Sequence, residues 1–206
     1  MTEIEDLFRR NRRWVEETLT EDPDFFQELA RGQAPSFLVV GCSDSRKCPN
    51  IMLGTGPGDL FVHRNIANQV LPDDGSAQAI LEFAILTLEV PHVVVMGHTR
   101  CGGVGAALQG LKEGSVGSWL RDLRSLADAH APELDALPDG PERADRLAEI
   151  NVVAQVRNVL LSSAYGEARE RGSAPAMHGW MFDLSSGYVR ELELPRETWR
   201  EEGILT

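Results

Sequence analysis

The sequence predicts an α/β protein: a mostly parallel central β-sheet with an antiparallel edge strand, flanked by helices and preceded by an N-terminal helical arm. Three observations carry this expectation. Short apolar runs rich in β-branched residues alternate with longer segments of helical periodicity, the pattern of strands joined by crossover helices. The last run, "MHGWMFDLSSGYVRELEL", breaks at Ser185–Gly187 and resumes as a second strand, which makes an antiparallel edge. The chain opens with a segment of purely helical spacing, before any strand signal.

Each element follows from local chemistry. Residues 3–19 place Ile4, Leu7, Phe8, Trp14, Val15 and Leu19 on one apolar stripe of a helix. "DPD" at Asp22–Asp24 starts a short helix that ends near Gly32, with proline in the tolerated first turn. "SFLVVG", between Pro35 and Gly41, reads as a buried parallel strand. After the turn signal "GTGPGD", residues 59–64 form the second strand. Residues 76–90 form a well-buried helix with Ser76 as its cap, because Ile80, Phe83, Ala84, Leu86 and Leu88 cover much of its circumference. "PHVVVMGH" is the third strand, and "CGGVGAALQG" runs from a loop into a helix ending at Gly110. Residues 117–170 are mainly helical, broken at Pro138–Glu142.

Composition bounds the function. The 206 residues are 42% hydrophobic, enough for one domain over residues 1–206, of which 1–32 form the helical arm. A formal net charge of −12 repels phosphate backbones and anionic lipid, so neither nucleic acid nor membrane is an expected partner. No run approaches the roughly 18 apolar residues of a membrane span. The acidic, amphipathic start lacks the basic and apolar blocks of a secretory signal, so a cytoplasmic location is expected. Three cysteines, an odd number, argue for metal or thiol chemistry over a disulfide framework.

Two predicted strands end in metal-competent residues. The first ends at Cys42; the third ends in "GHTRCGG", which holds His98 and Cys101. Sites in open α/β sheets form beyond the carboxyl ends of strands, so these three converge if the strands are neighbours. Two thiolates and one imidazole suit Zn²⁺ and leave a fourth position open, as catalytic zinc requires. Asp44 and Arg46 lie on alternate positions of an extended segment and so can pair, which keeps the carboxylate ionised. Cys48 reads as packing before Pro49; a closed structural site that recruits it is the plainer alternative.

"CSDSR" followed by "GHTRCGG" resembles the paired signature of the β-class carbonic anhydrases. The resemblance extends through "GPGDLFVHRNIANQV", "ILEFAILTLEVPHVVVMGHTRCGGVGAAL", "NVVAQVRNVL" and "HGWMFDLSSGYV", most of the chain. It implies reversible hydration of carbon dioxide to bicarbonate and a proton, through a zinc-bound hydroxide that an Asp–Arg pair orients. It implies one zinc per subunit on Cys42, His98 and Cys101, with Asp44 and Arg46 as the catalytic pair. It further implies Gln33 as a hydrogen-bond donor to substrate oxygen, Phe61, Ile66 and Phe83 as lining of the carbon dioxide pocket, and Gly102 beside the substrate. The family also implies a homo-oligomer, dimer or tetramer, with the helical arm embracing a partner subunit. Family relatives that hydrolyse carbon disulfide or carbonyl sulfide, and a non-enzymatic zinc sensor on the same scaffold, remain alternatives.

Some members carry a second, non-catalytic bicarbonate site. Its tryptophan position is Val39 here, although Arg64 matches its arginine, so no such site is expected. His63 is near the site in sequence order and reads as structural; no proton shuttle is assigned. Lys47 departs from the valine common after the arginine, and its long side chain is expected to extend into solvent.

Overall fold

The computed structural model describes residues 2–205. The chain divides into two compact units, residues 1–34 and 35–206. In the first, α1 (Glu3–Glu21) starts at a capping box: the Thr2 hydroxyl accepts from the Glu5 amide, and the Glu5 carboxylate accepts from the Thr2 amide at 2.8 Å. No α1 residue is buried, and Ile4, Leu7 and Phe8 are more than 60% exposed. The short α2 (Phe25–Leu29) begins after the Asp22–Asp24 turn, not at it, because Asp22 Oδ1 accepts from the Asp24 amide and holds a turn there. Trp14 meets Phe26 edge to face at 5.3 Å between ring centroids.

The second unit is built on five strands: β1 (Phe37–Cys42), β2 (Leu60–Asn65), β3 (His92–His98), β4 (Ala176–Phe182) and β5 (Val189–Glu191). Their order is β2-β1-β3-β4-β5, parallel except for the β4–β5 hairpin at the edge. The chain leaves β1 toward β2 and then crosses to β3 on the opposite side. The carboxyl ends of β1 and β3 therefore meet at the switch point of the sheet.

Helices fill the connections. The short α3 (Pro49–Leu53) separates β1 from β2. Between β2 and β3, α4 (Gly75–Glu82) continues into a wide π turn over Phe83–Thr87. Its cap is Asp74, which accepts from the Ser76 amide at 3.0 Å, and not Ser76 itself. Before β4 come α5 (Gly102–Leu108), α6 (Gly114–Trp119), α7 (Arg121–Ala129), α8 (Ala131–Asp135), α9 (Pro141–Leu160) and α10 (Ser163–Glu170); α11 (Arg196–Glu201) follows β5.

The core is unequal on the two sheet faces. Leu38, Val40, Val93, Val95, Met177 and Met181 face a large cluster that includes Ala148, Val152 and Val156 of α9, all buried. Each such side chain contributes about 1.5–3 kcal/mol of transfer free energy before ordering costs. Gly97 lets α9 approach: a Cβ there would lie 2.6 Å from Val152 Cγ2 and 2.8 Å from Met181 Sδ. The opposite face carries a small cluster of Val39, Val94 and Met96, flanked by half-buried Phe37, Leu60 and Trp180.

Candidate metal centre and its surroundings

β1 and β3 are register-paired neighbours, so their ends deliver Cys42 and His98 side by side; Cys101 is the N-cap residue of α5. The three ligand atoms lie within 4.8 Å of one another, and all three residues are buried. The two sulfurs are 3.8 Å apart. A tetrahedral ion with metal–sulfur bonds of about 2.3 Å needs sulfurs separated by about 3.8 Å, so the spacing fits without rearrangement.

His98 is prepared for the same role. Its Nδ1 lies 2.9 Å from the carbonyl of Thr99, which can only accept, so Nδ1 carries the proton. Nε2 then presents a lone pair, and it is buried with no hydrogen-bond partner. A buried polar atom left unpaired costs roughly 1–3 kcal/mol, and a metal ion satisfies it. The Cys42 thiol is pulled down to about 3, chiefly by the hydrogen bond from Cys101, which is itself pushed up as the donor. The hydrogen bond from Cys101 thus favours the Cys42 thiolate, and a bound cation would favour the second one.

Asp44 and Arg46 do pair, but by a different route from the extended segment expected. β1 stops at Cys42 and the chain turns: Asp44 Oδ1 accepts from the Arg46 amide at 2.9 Å, an Asx turn. The guanidinium then donates twice, Nε to Oδ1 at 2.9 Å and an Nη to Oδ2 at 2.7 Å. This bidentate contact holds the Asp44 carboxyl well below the usual carboxylate range. Arg46 also reaches the Arg100 carbonyl at 3.2 Å, bridging the two ligand-bearing segments. Asp44 Oδ2 ends 3.9 Å from His98 Nε2.

Lys47 overturns its expectation. It is fully buried, and its Nζ donates to the Met96 carbonyl at 2.9 Å. The turn pulls its backbone inward, since the Lys47 amide donates to the Asp44 carbonyl at 3.1 Å. Gly41 makes the room: a Cβ there would lie 2.6 Å from Nζ. Arg64 donates to the carbonyls of Cys42, Asp44 and Lys47 at 2.7–2.9 Å. Cys48 is the N-cap residue of α3, partly buried and outside the three-residue cluster.

The remaining residues singled out from sequence fall as follows. Phe61 and Phe83 stack at 5.7 Å between centroids, and Phe83 and Ile66 are at least 40% exposed. Ile66 sits on a turn in which Ala67 and Asn68 have φ of 62° and 45°, costly for non-glycine residues. Buried amides hold that turn: Asn151 Nδ2 donates to the Ala67 carbonyl at 2.9 Å, and Gln155 Oε1 accepts from the Val70 amide at 2.7 Å. Gly102 opens α5, and a Cβ there would meet nothing within 4 Å. Gln33 is exposed coil in the first unit. His63 Nε2 faces Asn65 Nδ2 at 3.3 Å; the Gln69 backbone fixes that amide, so Nε2 acts as an acceptor.

Sequence reasoning missed the support of His98. The Thr99 amide donates to the Phe182 carbonyl at 3.0 Å, and the Thr99 hydroxyl accepts from the Leu184 amide at 3.0 Å and faces Asp183 Oδ1 at 3.4 Å. Asp183 is pulled down to about 2, first by the Ser185 hydroxyl. The "DLSSG" stretch signals a turn but says nothing of a distant histidine.

Comparison with known proteins agrees with this geometry. The sequence matches the carbonic anhydrase family over residues 37–189. A carbonic anhydrase of Emericella nidulans is 42% identical over 188 residues, 91% of this chain and 82% of that protein. A β-carbonic anhydrase of Aspergillus fumigatus superposes with a TM-score of 0.89 at 40% identity, covering 100% of both chains. A tetrameric β-carbonic anhydrase of Sordaria macrospora gives 0.87 at 41% identity, covering 92% of this chain and 96% of that one. No described helix is long and apolar enough to cross a membrane. A five-stranded switch-point sheet, a buried Cys2His cluster and these matches lead to one conclusion: the chain belongs to the β-carbonic anhydrase family and is a carbonic anhydrase.

Proposed function

We propose that the protein converts carbon dioxide and water into bicarbonate and a proton, reversibly, with one zinc ion per subunit held by Cys42, His98 and Cys101. The observation that carries this reading is the pairing of a metal-fitting cluster with a salt-bridged carboxylate 3.9 Å from its imidazole nitrogen. When bound, zinc supplies Lewis acidity that brings the pKa of a coordinated water to roughly 7. Asp44, kept ionised by Arg46, has only acceptor atoms; its Oδ2 takes the hydrogen bond of the attacking water and sets the direction of the free lone pair. Arg46 keeps that carboxylate turned to itself. Phe61, Ile66 and Phe83 offer an apolar surface that suits carbon dioxide and excludes bulk water. Gln33 donates to the substrate oxygen as charge builds on it, and the open space beside Gly102 leaves room for that oxygen.

The exposed apolar stripe of α1 and the tetrameric Sordaria relative support a homo-oligomer in which the arm at residues 1–32 wraps a partner. On this reading the chain works as one domain in the cytoplasm. Engagement of Arg64 by three carbonyls supports the absence of a second bicarbonate site. Stopped-flow hydration of carbon dioxide by the zinc-loaded protein, beside Asp44→Ala, tests the proposal. A drop of roughly 10²- to 10⁴-fold in kcat is expected for the variant. Equal rates, or faster turnover of carbonyl sulfide than of carbon dioxide, would sink it.

A further inference from the structure

Lys47 presents a physical puzzle. Its ammonium is fully buried and has one hydrogen-bond acceptor, the Met96 carbonyl. Burying a cation is expensive even beside Cys42, Cys101 and Asp44, and replacing a buried charge by an apolar side chain of similar volume is often neutral or stabilising. Burial draws its pKa down to about 8, so near neutral pH it remains an ammonium. Stability does not explain this residue.

Its position does. Gly41 precedes the ligand Cys42, and Met96 lies two residues before the ligand His98. Nζ sits against both strands, at the space a Gly41 side chain would fill. Through its own backbone Lys47 closes the turn that carries Asp44, since its amide donates to the Asp44 carbonyl. Arg64 grips the same turn from β2, at the carbonyls of Cys42, Asp44 and Lys47. The turn is therefore clasped by a cation from each side. Of these two clasps, the one from Lys47 ties it to the strand that carries His98.

We propose that Lys47 is a positioning residue: by latching the Asp44–Lys47 turn onto the Met96 carbonyl, it fixes the distance between the Asp44 carboxylate and the metal cluster. This rests on the metal-centre reading above. Asp44 Oδ2 stands 3.9 Å from His98 Nε2, so a shift of about an ångström changes what the carboxylate can reach. A turn released from Met96 would let Asp44 drift toward or away from the metal while Arg46 moves with it.

Two variants separate the latch from mere folding. Lys47→Met keeps the volume and removes the ammonium. Gly41→Ala keeps the lysine but places a methyl where Nζ sits, forcing it off Met96. Each is made alone and with Asp44→Ala, and each is loaded with cobalt(II) for visible spectra and with zinc for carbon dioxide hydration. If Lys47 acts through Asp44, both single variants alter the cobalt bands and lower kcat roughly 10- to 100-fold, with KM little changed. In the Asp44→Ala background neither substitution has any further effect on either readout. The proposal is overturned if the single variants match wild type, or if their losses persist in full without the Asp44 carboxylate. Should Lys47→Met fail to fold, Gly41→Ala decides alone. Should the wild type hydrate no carbon dioxide, the functional reading fails, and the cobalt spectra still report on the latch.

Discussion

The two segments that carry the metal cluster are held in opposite ways. The turn after β1 presents carbonyls to its surroundings, and cations hold it: Arg64 on three oxygens and Lys47 reaching across to Met96. The turn after β3 presents donors, and carboxylates hold it. The Arg100 amide donates to Asp145 Oδ1 at 2.6 Å, and the Thr99 hydroxyl faces Asp183. The backbone explains the difference. The Cys42, Asp44 and Lys47 carbonyls all accept from Arg64, whereas Arg100, with φ of 56°, gives its N–H to Asp145. Arg46 then joins the halves by donating to Asp44 on one and to the Arg100 carbonyl on the other. The lesson is that charge around this site serves the backbone first; the Asp44–Arg46 pair adds a side-chain ion pair beside the cluster.

Three measurements test that contrast. Arg64→Ala strips the donors from three carbonyls at once. It should lower unfolding stability by about 2–3 kcal/mol, read by chemical denaturation, and should reduce activity through Asp44. A loss under about 0.5 kcal/mol would mean that water replaces the guanidinium at no cost.

The second measurement concerns alkaline pH. Lys47 titrates near 10.5 in the unfolded chain and near 8 when folded. Between these values the unfolded chain binds more protons, so stability rises as pH rises through that window, by up to about 3 kcal/mol. Lys47→Met should lack the rise; a parallel pH–stability curve for the two proteins would show that the ammonium is hydrated when folded.

The smallest effect belongs to the other turn. Asp183→Asn weakens the frame that holds Thr99, whose carbonyl fixes the His98 tautomer. Competition with a chelator should show metal affinity reduced roughly tenfold. Unchanged affinity would confine Asp183 to the hairpin itself.

Much of the architecture is legible without coordinates. The β-branched runs, the hairpin break at Ser185–Gly187, Cys42 and His98 at strand ends and Cys101 just beyond one all follow from period and residue type. What failed is instructive. The Ser76 cap is displaced because the helix already starts at Gly75, with Asp74 as the cap that accepts from the Ser76 amide. The Asp44–Arg46 pair arises from a turn because β1 runs out of ladder at Cys42. Lys47, expected in solvent, is instead buried because its ammonium reaches the Met96 carbonyl across the sheet.

By itself the sequence determined the parallel sheet, the residue types that converge on one site and the family, because these depend on local periodicity and on motif chemistry. Only the tertiary structure decided the two sulfurs at 3.8 Å, the unpaired Nε2 of His98 and the buried path of Lys47 to Met96. The sulfur pair and the lysine contact join residues tens of positions apart, and a glycine at position 41 or 97 acquires meaning only when another element approaches it. The physical reason is that hydrogen-bond partners and steric room are properties of neighbours in space, which no one-dimensional spacing specifies.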